Sequence, residues 1–169
     1  MLTSMDVNIR WNIKIFLKGG SYGGIHKRNK TTYRIQTIIL VGSTIIVIND
    51  KQEILFQHRS DTEEWGLPGG AMELGESLEE TAKRELLEET GLKARKFKFI
   101  DVLSGKELYF KYPNGDEVYN VICVYLAEEV YGELSMADGE SIDLKYFSPN
   151  HLPSNLDDRA KLIIEKHFR

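Results

Sequence analysis

Glu85, Glu88 and Glu89 stand at i, i+3 and i+4 in the sequence. On a helix that turns about 100° per residue they fall in one sector. Like charges at such spacings repel, at a cost of about a few tenths of a kcal/mol per pair even in water. Arg84 can reach Glu88 or Glu80 along the helix, but one guanidinium does not neutralise the whole cluster. Hard divalent cations such as Mg2+ and Mn2+ could do so, because they take oxygen ligands and are commonly held by a few carboxylates, water and substrate phosphates. The cluster therefore suits metal-assisted phosphoryl chemistry. A solvated acidic helix face is the other reading that three glutamates alone leave open, since Glu is a good helix former.

The segment carrying these residues, 65–92, passes from a Gly- and Pro-rich loop into an acidic helix. Ser77 is suited to N-cap the helix, with Glu80 as its capping-box partner, and Gly91 to stop it. Leu78, Ala82 and Leu86 share the sector beside the glutamates and would anchor the helix, whereas Glu79 points roughly 120° or more away and would be solvated. Upstream, the Ile- and Val-rich residues 37–49 read as a strand with a bend or bulge at Gly42 and Ser43. Turn residues 49–52 follow, then a second strand, 53–59. Arg59 at its end either contacts phosphate or is an ordinary surface arginine. Downstream, 106–112 and 118–126 are strand-like, joined by hairpin residues 113–116. Asn155 can cap a last helix with Ala160, Ile163, Ile164 and Phe168 on one face.

The opening residues fit both a helical stripe (Ile9, Ile13, Phe16, Leu17) and a strand alternation (Trp11, Ile13, Ile15, Leu17). Residues 18–32, with four glycines and the basic cluster His26, Lys27, Arg28 and Lys30, read as a solvated connection in preference to a phosphate loop. With 169 residues, 41% of them hydrophobic and 28% charged, the chain fits one domain. Residues 35–169 are expected to form it, and 1–34 to pack on it or extend it. A net charge of −4 gives no general attraction to a nucleic acid polymer. A phosphate-bearing substrate would then need metal ions or local basic residues. Cys123, the one cysteine, lies in the apolar run 121–126 and reads as a buried side chain in a reducing, cytoplasmic setting. Polar residues interrupt the most apolar stretch, 35–48, which disfavours a membrane span. No secretory pattern is evident.

Residues 70–92 resemble the Nudix box. Its fixed positions are filled by Gly70, Glu76, Arg84, Glu85, Leu86, Glu88, Glu89, Gly91 and Leu92, with every spacing in agreement. Residues 65–69 are similar to the family's usual lead into the box, and the surrounding strands, hairpin and last helix extend the likeness loosely from about residue 35 to the end. The resemblance implies an α/β fold, the Nudix-type α/β/α sandwich with a mixed central sheet. It implies a small, nucleotide-like substrate, in which water attacks phosphorus to cleave a diphosphate linkage of a nucleoside diphosphate derivative.

By position, the resemblance makes Glu85, Glu88 and Glu89 ligands of Mg2+ or Mn2+, with the Gly69 carbonyl as a further ligand. Glu85 acts as base in some members. Arg84 would orient a catalytic glutamate, and Glu76 would brace the loop–helix junction or contribute at one metal. Glu140, in the loop-like stretch 137–141, is either an additional metal-binding or basic glutamate or a plain surface acid. Tyr109 lies near the place of a tyrosine in dinucleoside polyphosphate hydrolases of the family, though a strand aromatic packed on the core is the simpler reading. No proline occupies the place associated with ADP-ribose pyrophosphatases, since Pro113 comes later. A nucleotide-sensing domain of the same fold would often lack the carboxylates found here. An isoprenoid diphosphate isomerase would need further acid/base groups, for which Cys123 in an apolar strand is poorly suited.

Overall fold

Alternation decides the layers. The computed structural model describes residues 37–111, 117–136 and 139–169; the opening segment, the basic loop and the hairpin residues 113–116 lie outside them. In chain order the elements are β1 (Thr37–Val47), β2 (Ile54–Arg59), β3 (Trp65–Gly66), β4 (Gly69–Ala71), α1 (Leu78–Thr90), β5 (Leu92–Leu103), β6 (Tyr109–Lys111), β7 (Glu117–Gly132), β8 (Ser141–Phe147) and α2 (Asp158–Phe168). The Ile, Val and Thr side chains of β1 suit a pleated, doubly covered strand. It runs parallel to β7 from Thr37↔Glu117 to Val47↔Ala127. The larger sheet has the order β4-β1-β7-β5, with β6 also on β7, and a smaller sheet has the order β3-β2-β8.

Successive strand residues point to opposite faces, and the core divides accordingly. Ile45, Val47, Leu55 and Cys123 meet Ala82 and Leu86 of α1. Ile46, Ile54, Phe56 and Val124 meet Ala160, Ile163 and Ile164 of α2. The sheets are thus held between two helices, and the one parallel pairing among antiparallel ones makes the larger sheet mixed, as an α/β/α sandwich requires. Among the described residues no helix is long and apolar enough to cross a membrane.

Several local expectations are corrected. Gly42 and Ser43 make no bulge against β7: the register passes through them unbroken. Gly42 is needed because a Cβ there would overlap the Gly70 carbonyl oxygen of the neighbouring β4. The stretch 106–112 is not one strand, because Lys106–Leu108 forms a 3-10 turn before β6. β5 is a long strand absent from the sequence expectation; lysines at 93, 96 and 98 and a register shift between Phe99 and Asp101 obscure its alternation. The cap of α2 is Asp157, whose carboxylate accepts the Ala160 N–H at 2.7 Å, whereas Asn155 donates to the Glu63 carbonyl.

The close contact between β1 and β4 generates a stability prediction. Gly42→Ala should destabilise the protein by about 1–3 kcal/mol, as overpacking commonly does, because the obstacle is backbone and cannot swing aside. Urea denaturation measures it; an unchanged midpoint would contradict the contact.

Candidate active site

α1 is fixed at both ends by local chemistry. The Ser77 backbone N–H donates to Glu80 at 2.7 Å while the Glu80 N–H donates to the Ser77 hydroxyl at 3.3 Å. At the other end Gly91 has φ 73 and returns its N–H to the Leu87 carbonyl, a left-handed stop that glycine takes at little cost. Between these caps Ala82 and Leu86 are fully buried, so the rotation of the helix about its axis is set by the core. The acidic sector is consequently graded: Glu89 is 2% exposed, Glu85 is half-buried and Glu88 faces solvent. Glu79 pairs with Lys83 at 2.7 Å on the exposed side, as its helical position implied.

Two glycines seat β4, Gly69 against β1 and Gly70 against this helix. Gly69 has φ 152, and a Cβ there would strike the Ser43 carbonyl; a Cβ on Gly70 would strike the Glu85 carboxylate. The Gly69 N–H donates to Glu89 at 2.7 Å, tying the buried carboxylate to the strand.

Arg84 joins loop to helix. Its Nε and Nη2 donate to the two oxygens of Glu76 at 2.7 and 3.1 Å, its Nη1 donates to Glu85 at 2.6 Å and Glu88 at 3.1 Å, and its Nη2 also donates to the Ala71 carbonyl at 2.9 Å. The two-pronged contact with Glu76 is the geometry a planar guanidinium favours. Glu76 also accepts the Thr81 hydroxyl and the Glu73 N–H. Arg84, with smaller help from these donors, holds the Glu76 carboxyl down at about 2. Glu76 therefore braces the loop–helix junction. Glu80 is spent on the cap, so the alternative Arg84–Glu80 pair is not formed.

The inner carboxylates are shifted the other way. Burial pushes Glu85 up to about 7; Arg84 opposes this, while Glu88 and Glu140 add to it. Burial also raises Glu89, helped by repulsion from Glu85 and opposed by Gln57, Arg59 and the Gly69 N–H. Glu140, immediately before β8, is thus near enough for its charge to act on Glu85. Its carbonyl accepts the Ser60 N–H at 2.8 Å, which fixes the loop to the end of β2.

Arg59 is not a surface residue. It is 5% exposed, donates to Asp61 at 3.0 and 3.2 Å, and lies in the fields of Glu89 and Asp157. Tyr109 is neither core nor in contact with the box glutamates: it is 38% exposed and tilts against Tyr119 with ring centroids 5.2 Å apart. Gln57, which no sequence motif marks, is 1% exposed beside Glu89. The signal that could have found it is the alternation Leu55, Gln57, Arg59, which turns all three towards α1.

Among the described residues no three acidic, histidine or cysteine side chains already converge as a metal cluster, and Glu85 and Glu88 are both turned onto Arg84. The donor chemistry nevertheless fits a hard cation. Glu85, Glu88, Glu89 and the Gly69 carbonyl offer only oxygen, and half-buried Glu85 repels buried Glu89, whose carboxyl stays raised despite Gln57, Arg59 and the Gly69 N–H.

A family model described as NUDIX domain matches residues 40–166. A Bacillus subtilis (strain 168) protein described as a candidate 8-oxo-dGTP diphosphatase is 39% identical over 113 residues, 66% of this chain and 68% of that protein. The ADP-ribose pyrophosphatase of Methanocaldococcus jannaschii is 30% identical over 154 residues, 89% of this chain and 86% of that one. Among solved structures, the MutT NUDIX hydrolase from Burkholderia pseudomallei has a TM-score of 0.65 at 26% identity, over 76% of this chain and 98% of that one.

The opposed shifts make stability depend on pH. Glu85 keeps its proton to about 7 when folded against 4.5 when unfolded, so between those values the folded chain binds more protons and metal-free stability falls as pH rises. Glu76 is depressed from 4.5 to about 2, so its contribution is present above 4.5 and is lost as pH falls towards 2. In chelator, the wild type should lose melting temperature relative to Glu85→Gln as pH rises from 4.5 to about 7. Melting temperatures that stay parallel across this window would contradict the assignment.

Proposed function

The chain belongs to the NUDIX family, and we propose that its site binds a nucleoside diphosphate derivative with Mg2+ or Mn2+ held by Glu85, Glu88 and Glu89. As a member of that family it is a pyrophosphohydrolase, acting on phosphorus-containing acid anhydrides. The observation that carries the proposal is the pair of carboxylates set against β4, half-buried Glu85 and buried Glu89, both raised by burial despite Arg84 and Arg59. A divalent ion bound there, with the Gly69 carbonyl as a further ligand, would polarise phosphate oxygens and acidify a water.

The chain's own residues position that chemistry. Gly69 fixes Glu89 by its N–H, and Arg84 orients Glu85 while holding Glu76 as the brace between loop and helix. Glu76 has both oxygens committed there, so direct ligation by it is the less favoured of its two roles. Glu140 or Glu85 accepts a proton as water attacks phosphorus. The bridging oxygen leaves with the other phosphate, giving a nucleoside monophosphate and a second phosphate-bearing product. Arg59 serves as counter-charge beneath Glu89; contact with a substrate phosphate would require it to leave Asp61. Tyr109 and Tyr119 present an exposed aromatic pair on which a base could stack.

The two relatives named for 8-oxo-dGTP and for ADP-ribose share a nucleoside joined to a diphosphate, which supports that class as substrate here. The buried Cys123 supports a reducing compartment, the cytoplasm.

Chelation should abolish turnover and Mg2+ or Mn2+ should restore it. With saturating metal, Glu88→Gln and Glu89→Gln should each lower kcat by roughly 10²-fold or more, the scale of losing one preorganised electrostatic group. Glu79→Gln, in an exposed ion pair, should change it by no more than about twofold. Products are resolved by chromatography across nucleoside triphosphates, dinucleoside polyphosphates, nucleotide sugars and ADP-ribose. Near-normal turnover by both box variants would remove the physical basis of the proposal, and tight binding of one compound with no turnover of any would point to a sensor.

A further inference from the structure

Gln57 is a buried polar side chain outside the box. Strand alternation places it on the α1 side of β2, one step beyond Leu55, which packs with Leu86. Glu89 stands three residues beyond Leu86 on the same helix face, so the two polar side chains face each other where the apolar contact ends. Gln57 is 1% exposed and Glu89 is 2% exposed. The Gln57 Oε1 accepts the Ser141 hydroxyl at 2.8 Å, while its Nε2 has no hydrogen-bond partner among the described residues.

Buried amide nitrogens are rarely left unsatisfied. With the oxygen engaged by Ser141, the nitrogen is the end of the amide available to a carboxylate; the reverse orientation would set oxygen against oxygen. Ser141 thereby has a reason to occupy a 9% exposed place at the start of β8, directly after Glu140. The Gly69 N–H already takes one Glu89 oxygen from the β4 side. An amide donated from β2 would be a second restraint on the same carboxylate.

We propose that Gln57 is a positioning residue: its side-chain amide, turned by Ser141, orients the Glu89 carboxylate for metal ligation. The inference rests on the reading of Glu89 as a metal ligand. It connects β8 and β2 of the smaller sheet to the metal ligand on α1 through Ser141, Gln57 and Glu89. The effect of Gln57 on the Glu89 charge agrees with this placement.

Mn2+ affinity of the substrate-free protein, followed by electron paramagnetic resonance, tests it without turnover. Gln57→Leu should weaken Mn2+ binding by about tenfold or more, the usual cost of losing a residue that supports a ligand, and lower kcat with little change in KM. Its melting temperature in chelator is read beside the affinity to separate a lost restraint from a lost fold, since Leu also deprives the Ser141 hydroxyl of its acceptor. Ser141→Ala, a smaller change, should weaken Mn2+ in the same direction. In a double-mutant cycle, Gln57→Leu should add little once Glu89→Gln is present. If Glu89→Gln weakens Mn2+ but Gln57→Leu and Ser141→Ala leave the affinity unchanged, the positioning role is overturned while the metal site stands. If Glu89→Gln itself leaves Mn2+ binding unchanged, the underlying functional reading fails.

Discussion

The structure of the site depends on where positive charge is placed among carboxylates that cannot separate. Arg84 holds Glu76, Glu85, Glu88 and the Ala71 carbonyl through one guanidinium. This clamp fastens the loop after β4 to α1, and it leaves Glu89 to be restrained by backbone. A lysine could not reproduce the arrangement, because a point charge lacks the planar fork that meets both Glu76 oxygens. Burial of Glu85 and Glu89 adds a demand for cationic charge that Arg84 does not satisfy. The functional reading follows from that imbalance.

The sandwich exists, on this view, to hold an unfavourable charge density in place. Fully buried Ala82 and Leu86 lock α1 against β1 and β2, and the helix cannot rotate its acidic sector into water. Gly42, Gly69 and Gly70 remove the side chains that would keep β1, β4 and Glu85 apart. The smaller sheet contributes from the other direction: β2 carries Gln57 and Arg59 beneath Glu89, and β8 begins at Ser141 beside Glu140. Site geometry is therefore a property of both sheets, although the chemistry-bearing motif is contiguous in the chain.

What was legible in the sequence was mostly local. The caps at Ser77 and Gly91, the anchoring by Ala82 and Leu86, and the solvated place of Glu79 follow from helical spacing and are observed. So is the sandwich implied by the family resemblance. Non-local facts were hidden. Gly42 looked like a bend because glycine often marks one, but its cause is a strand almost thirty positions away in sequence. Arg59 looked like a surface residue because, beyond Asp61 two places on, the carboxylates around it, Glu89 and Asp157, come from distant parts of the chain. β5 is recognised by its long partnership with β7, whereas its own lysines and register shift conceal the period. Asp157 displaced Asn155 as cap because Asn155 is committed to the Glu63 carbonyl.

The central claim is that the incompletely compensated carboxylates of α1 form a divalent cation site. Crystallising the protein with Mn2+ and locating the ion from its anomalous scattering tests this most directly. The account predicts a peak within ligand distance of Glu89 and of Glu85 or Glu88, with Arg84 retained on Glu76. No peak at these carboxylates, with Glu85 and Glu88 still held by Arg84 at saturating Mn2+, would contradict it.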